Sequence, residues 1–122
     1  MPNPGQLGWI DLTVPDAPAV RDFYSAVIGW DAHPVDLGGY ADFTMMPSGG
    51  SEPAAGICHA RGENAHLPPV WIPYFIVENL SRSLASCADR GGTPIGEVRT
   101  MGDSRYAVVR DPAGAVCALY QP

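Results

Sequence analysis

The amino-acid sequence predicts an α+β fold in which two βαβββ modules form a curved mixed sheet, a half-barrel cup. Two observations carry this prediction. The second half of the chain repeats the pattern of the first at an offset of 62 to 63 residues, and within each half the hydrophobic period changes from two to 3.6 at the same place. The clearest matched pairs are Val14 with Val77 and Gly29 with Gly91.

The first half begins with a strand and a helix. In WIDLTV, alternation predicts that Ile10, Leu12 and Val14 face the following helix, which leaves Trp9, Asp11 and Thr13 on the opposite face of the sheet. Asp16 is expected to cap the helix and Gly29 to end it. The apolar stripe of this helix comprises Val20, Phe23, Tyr24, Val27 and Ile28.

The second half repeats this arrangement from Ile72 onward. Here alternation directs Phe75 and Val77 toward the helix, and the far face receives Ile72, Tyr74 and Ile76. Asn79 or Ser81 can cap the second helix, which is expected to stop at Gly91 and Gly92. Its thinner apolar stripe consists of Leu80, Leu84, Cys87 and Ala88.

Three short extended runs, separated by Gly and Pro, follow each helix. They read AHPVDL, YADFTMM and AGICHA in the first half, and PIGEVRT, YAVVR and AVCALY in the second. We therefore expect a single domain over residues 1–122, with module one at about 5–62 and module two at about 68–122. An antiparallel sheet with helices on one face leaves its other face available for a ligand.

Composition excludes several classes of partner. The 122 residues include thirteen acidic and seven basic side chains, all seven of them Arg, for a net charge of −6. Such a chain is a poor partner for nucleic acid or an anionic membrane. The start, MPNPGQLG, lacks the features of a signal peptide, and the three cysteines show no metal-binding or disulfide spacing, so a cytoplasmic location is expected.

Three segments together resemble the vicinal oxygen chelate superfamily, which includes glyoxalase I, bleomycin resistance proteins, fosfomycin-resistance enzymes and extradiol dioxygenases. They are WIDLTVPDAPAVRDFYSAVIGW, the second YFIVEN…ADRGG, and the closing VVRDPAGAVCALYQP. The resemblance covers Trp9 to Pro122. It implies paired βαβββ modules, ligand sites in cups, and a homodimer, which would also cover open sheet edges.

The resemblance also implies where a metal ion would bind. In metal-dependent members, His or Glu ligands lie seven residues before the Asp of VxD and seven residues after the Asp of DPxG. Here Trp9, Ile72 and Ala118 fill three of the four positions, and none is a metal ligand. The fourth position is His59 if Cys58 is aligned with Cys117. It is Cys58 if the alignment contains a gap of one residue. We therefore expect no metal and no cofactor.

The expected ligand-binding residues line the predicted cup: Trp9, Asp11, Thr13, Tyr40, His59, Ile72, Tyr74 and Ala118. Asp11 is the only candidate catalytic base; it would otherwise anchor a cationic or hydroxylated ligand, or have a structural role such as a bond to a strand amide. His59 is either a hydrogen-bonding group of the cup or a solvated rim residue.

Two functions of different classes follow. The first is a metal-independent protein that sequesters a small organic compound, cationic or aromatic, as in antibiotic resistance. The alternative is an enzyme of the same superfamily that acts on a small organic substrate: a lyase, an isomerase or cyclase, or a dioxygenase. Such an enzyme would depend on a metal only if the alignment above missed its ligands. A subunit without a ligand of its own is the third, structural reading.

Overall fold

The computed structural model describes residues 3–122 and contains the βαβββ order twice within them. The elements of the first repeat are β1 (Leu7–Val14), α1 (Ala17–Ile28), β2 (Asp31–Asp36), β3 (Ala41–Met46) and β4 (Ala55–His59), followed by a single 3-10 turn at Gly62–Asn64. Those of the second are β5 (Trp71–Ile76), α2 (Leu80–Asp89), β6 (Thr93–Met101), β7 (Ser104–Arg110) and β8 (Val116–Gln121). The predicted order of strands and helices is confirmed.

The chain divides into two compact units. The first unit is Ile10–Trp71, and the second unit combines the residues up to Trp9 with Ile72–Pro122. The N-terminal residues belong with the second unit because Gly5 donates its backbone N–H to the carbonyl of Ile76 at 2.7 Å, and Ile76 donates to Gln6 at 2.9 Å. One domain over the whole chain remains a prediction.

In the first unit the strands lie in the order β2, β3, β4, β1. The β2–β3 and β3–β4 pairs are antiparallel and the β1–β4 pair is parallel, as expected when the helix makes the crossover. Under α1 the buried core consists of Leu12, Val14, Ala17, Phe43, Met45 and Ile57. The prediction that Leu12 and Val14 face the helix is therefore confirmed.

Helix α1 has the predicted ends but packs through a narrower side than predicted. Asp16 Oδ1 accepts the backbone N–H of Ala19 at 3.1 Å, and Gly29 ends the helix in the left-handed conformation, with φ of 89°. Val20 and Tyr24 pack on the core. The rest of the stripe, namely Phe23, Val27 and Ile28, is 56%, 64% and 52% exposed, so its predicted burial is wrong in this structure.

In the second unit the order is β5, β8, β7, β6, again with one parallel pair, β5–β8, and antiparallel pairs β7–β8 and β6–β7. Asn79, rather than Ser81, caps α2 by accepting the N–H of Arg82 at 3.0 Å. Leu80 is fully buried and donates its N–H to Oε1 of Gln121 at 2.7 Å, which fixes the start of α2 against β8.

Neither α1 nor α2 has the length and apolar character that a membrane-spanning helix needs, and the part of the chain that the structure describes contains no other candidate.

Candidate ligand-binding site

Three side chains lie together on the face of the first-unit sheet that points away from α1. Asp11 of β1 alternates with the core residue Leu12 and therefore faces the other way. Cys58 of β4 and Asp42 of β3 occupy neighbouring strands, and the Cys58 thiol is hydrogen-bonded to the Asp42 side chain. We call Asp11, Asp42 and Cys58 the acidic face.

The acidic face controls the state of its thiol. Burial raises the pKa of Cys58 most, the charge of Asp11 raises it further, and Asp42 adds both its charge and its hydrogen bond to the protonated form. The thiol thus keeps its proton and donates a hydrogen bond to the Asp42 carboxylate. Cys58 is therefore unsuited to act as a nucleophile, since nucleophilic cysteines need a lowered pKa.

Asp42 also holds His59. Its Oδ1 accepts the backbone N–H of His59 at 2.9 Å and lies 3.2 Å from Nδ1 of the same residue. The Asp42 side chain is only 21% exposed, and the His59 side chain is 15% exposed. In the tautomer with its proton on Nδ1, the imidazole donates to the carboxylate and keeps the Nε2 lone pair as a hydrogen-bond acceptor.

Aromatic and cationic groups surround this pair. The ring of Tyr40 meets the His59 ring edge-on, with centroids 5.4 Å apart and planes at 84°. The guanidinium carbon of Arg61 lies 3.8 Å from the centroid of the Tyr40 ring, close enough for a cation–π interaction. We call Tyr40, Asp42, His59 and Arg61 the Tyr40 cluster. The structure thus brings two predicted site residues, Tyr40 and His59, into contact.

Asp42, which connects the acidic face to the Tyr40 cluster, was not among the predicted site residues. The alternation in YADFTMM was visible in the sequence. It places the Asp42 side chain on the face of the strand opposite to that of the buried Phe43. Its two partners lie 16 and 17 positions further along the chain, in β4. They become apparent only from the register in which Phe43 pairs with Ile57.

Other predicted residues are more deeply buried. Thr13, which pairs with Cys58, is 4% exposed. In the second unit, Ile72, Tyr74 and Ala118 are 1%, 9% and 0% exposed. The Tyr74 ring contacts that of Tyr106, with centroids 5.4 Å apart. Trp9 is half-buried on the same side of β1 as Asp11. Ligand contact by these residues stays a prediction.

The strand register identifies the fourth of the metal positions. Asp11 and Tyr74 each lie five residues before the residue that caps the helix of their repeat, so they correspond. Asp11 pairs with Gly56 and Tyr74 pairs with Ala118, both in parallel register. Gly56 is therefore the counterpart of Ala118.

The expectation that His59 or Cys58 fills this fourth position is wrong. It came from pairing Cys58 with Cys117 along the sequence, but the register makes Tyr120, two residues beyond Ala118, the counterpart of Cys58. Pairing the two cysteines departs from the 62-residue offset of the repeat, which leads from Gly56 to Ala118, and the hydrogen-bonded register follows that offset.

The four positions thus do not fit the metal ion that the superfamily resemblance implies. Trp9 carries an indole, Gly56 only a hydrogen, Ile72 a branched alkyl group and Ala118 a methyl group. None offers the imidazole, carboxylate or thiolate that divalent metals need. Within residues 3–122 there is also no group of three or more His, Cys, Asp or Glu residues placed to hold a metal ion.

Comparison with known proteins agrees with this fold. The family described as "Glyoxalase-like domain" matches residues 9–120. The chain belongs to this family. The membership confirms the resemblance to the vicinal oxygen chelate superfamily, whose activities differ widely on one scaffold.

Two relatives match nearly the whole chain. The anthracycline biosynthesis protein DnrV of Streptomyces peucetius is 32% identical over 130 residues, which cover 97% of this chain and 47% of DnrV. The putative glyoxylase CFP32 of Mycobacterium bovis is 30% identical over 120 residues, covering 96% of this chain and 46% of that protein. This glyoxalase-like chain therefore spans about half the length of both relatives.

Solved structures show the same fold at low sequence identity. Methylmalonyl-CoA epimerase from Mycobacterium tuberculosis superposes with a TM-score of 0.58 at 16% identity, over 97% of this chain and 87% of that one. A glyoxalase/bleomycin resistance protein/dioxygenase superfamily member from Vibrio splendidus superposes with a TM-score of 0.60 at 14% identity. The superposition covers 96% of this chain and 100% of that one. At these identities the likeness concerns the fold alone.

Proposed function

We propose that this glyoxalase-like chain binds a small organic molecule, cationic or aromatic, without a metal ion. One observation carries the proposal: the positions where a metal-dependent relative would need ligands hold Trp9, Gly56, Ile72 and Ala118. Since these residues cannot coordinate a divalent cation, recognition depends on the chain's own polar and aromatic groups.

The acidic face supports a cationic ligand. Asp11 and Asp42 both act on the Cys58 thiol, which means that two carboxylates share a partly buried region of the sheet. A protonated amine near both would gain more from them there than in water, because screening is weaker away from bulk solvent. The acidic face would then provide the charge complementarity of the site.

The Tyr40 cluster supports an aromatic ligand. The Tyr40 ring is only half-buried and already packs against one cation, Arg61, and one imidazole, His59. Flat rings bury area at little conformational cost, so such residues are suited to planar ligands. A relative named for anthracycline biosynthesis is consistent with this chemistry, and we extend that class of compound to the present chain only as a probe.

The alternative is an enzyme, and the Asp42–His59 pair favours it specifically. A carboxylate that accepts from Nδ1 orients an imidazole so that Nε2 can take a proton, as a general base does. Asp11 is the second candidate base. Both would act on a bound small molecule in a lyase or an isomerase reaction, without metal.

We also propose that the chain is a homodimer located in the cytoplasm. Phe23, Val27 and Ile28 leave one side of α1 apolar and exposed, and such a contiguous surface is typical of an interface.

Fluorescence titration with doxorubicin, a planar aromatic compound with a protonated amine, tests the binding proposal. We expect saturable binding that withstands a chelator and weakens in Asp11→Asn by about 1–3 kcal/mol, because one charge of the acidic face is lost. The matched control is Asp22→Asn, which removes the same charge from the exposed surface of α1.

Binding that Asp11→Asn and Asp22→Asn weaken equally would contradict the proposed site. So would an Asp11→Asn variant that binds like the parent and shows only a lower melting temperature, since Asp11 would then be structural. Turnover that His59→Gln abolishes, measured by mass spectrometry of added small molecules, would favour the enzyme instead.

A further inference from the structure

A cavity lies within the second unit, between α2 and the turn that joins β7 to β8. Its volume is about 370 Å³, within the range of small-molecule sites. Its walls include Val109 of β7 and Leu119 of β8. Leu119 faces opposite to its neighbour Ala118, so this cavity does not belong to the face that carries the predicted ligand-binding residues of this unit.

The rim of this cavity is cationic in a chain whose net charge is −6. Three of the seven basic residues of the chain line it: Arg82 of α2, Arg90 at the C-terminal end of α2, and Arg110 of β7. Arg82 lies in the first turn of α2, and Arg90 is the residue that caps its C-terminal end. We call these three residues the arginine rim.

The charges of the arginine rim are largely uncompensated. Among residues 3–122, neither Arg82 nor Arg90 forms an ion pair; Arg110 Nη1 donates to the carbonyl of Gly114 at 3.3 Å. Asp111 is the one acidic residue among those that line the cavity. Its Oδ1 already accepts two backbone N–H groups of its turn, at 2.8 and 3.0 Å.

The floor of the cavity is apolar and closely packed. Val109 is 4% exposed, and Cys87 also lines the cavity. At Gly92 a Cβ would collide with the Cys87 sulfur and lie 2.9 Å from the carbonyl oxygen of Arg110, so only glycine lets the chain pass here. The cavity therefore combines an apolar floor with a cationic rim.

We infer that this cavity binds an amphipathic organic anion. Its carboxylate or phosphate would accept charge-assisted hydrogen bonds from the arginine rim, and its apolar or aromatic body would cover Val109 and Leu119. Guanidinium groups bind both anions through two parallel N–H donors. This site is independent of the binding function proposed above, because it lies on another face and selects the opposite charge.

Titration of the full ¹⁵N-labelled chain with phenyl phosphate, followed by NMR, tests the inference. Saturable shifts are expected at the amides of Gly92 and Asp111, with weaker binding for phenol and for inorganic phosphate, which each lack one half of the ligand. Benzoate tells whether a carboxylate is accepted as well as a phosphate. Added salt should weaken binding, since the contact is ionic.

The decisive variant is Arg82→Gln/Arg90→Gln, for which we expect the dissociation constant to rise at least about tenfold. Its matched control, Arg99→Gln/Arg105→Gln, removes two arginines from β6 and β7 that do not line the cavity, and should change the constant by less than about twofold. If the double variant does not fold, Arg82→Gln alone replaces it, because Arg82 is exposed.

The inference is overturned if phenyl phosphate shows no saturation up to about 10 mM. It is overturned equally if both double variants lose the same affinity, if phenol binds as tightly as phenyl phosphate, or if the shifts occur at Asp11 and Cys58 instead. A lower melting temperature of Arg90→Gln with unchanged affinity would show that this residue only stabilises the end of α2.

Discussion

Raising the pH from about 7.5 to about 10 is expected to destabilise the protein through Cys58. Burial and the charges of Asp11 and Asp42 raise the pKa of this thiol in the folded state, whereas an unfolded thiol titrates near pH 8.5. Between these values the folded chain holds a proton that the unfolded chain has lost. The stabilisation is complete below the unfolded pKa and declines as the pH rises.

The size of the effect follows from the number of protons released on unfolding. One proton corresponds to about 1.4 kcal/mol for each pH unit above the unfolded pKa. Cys58 should therefore lower the free energy of unfolding by about 2 kcal/mol between about pH 8.5 and about pH 10. For a small domain this is a large part of the total stability.

Urea unfolding of the parent and of Cys58→Ser, under reducing conditions at both pH values, isolates this contribution. Serine keeps a hydroxyl that can donate to Asp42 but does not titrate in this range. Cys117, whose pKa is also raised by burial and by the charges of Asp111 and Cys87, changes both proteins alike and cancels. The parent should lose about 2 kcal/mol more than Cys58→Ser on going to the higher pH. Equal losses would show that Cys58 does not hold its proton in the folded state, which would refute the account of the acidic face.

Three further predictions concern packing, backbone strain and assembly. Gly92→Ala should destabilise the protein by about 1–3 kcal/mol in thermal unfolding, because its Cβ would collide with Cys87 and with the carbonyl of Arg110, and both must move. Gly114→Ala meets no atom within 4 Å but has φ of 89°, so about 1–2 kcal/mol of backbone strain is expected there without a steric collision. Val27→Glu on the exposed side of α1 should convert a dimer into a monomer in light scattering at tens of micromolar; a parent that is already monomeric would contradict the proposed interface.

The sequence was sufficient for the secondary structure. The period of two in WIDLTV and the period of 3.6 after Asp16 correspond to β1 and α1, and the predicted repeat corresponds to β5 and α2. The cap at Asp16 was also visible, and the cap of α2 was narrowed to Asn79 or Ser81, since a cap involves residues only three positions apart. These features depend on local geometry, which neighbouring residues carry by themselves.

The burial of α1 shows where this local information ends. Its apolar stripe predicts that Phe23, Val27 and Ile28 are covered, yet the sheet contacts only the side that carries Val20 and Tyr24. Periodicity identifies which residues share a side of a helix, but the area that the neighbouring element covers depends on tertiary packing. The exposed remainder is what now suggests a partner.

The candidate site divides in the same way. Asp11, Tyr40 and His59 were recognisable from their chemistry and strand position, and so was the lack of metal ligands at Trp9 and Ile72. Only the structure decided that Asp42 joins them and that Gly56 is the counterpart of Ala118, because both follow from how the strands are aligned. Strand alignment is set by hydrogen bonds between residues far apart in the chain, which no local pattern in the sequence records.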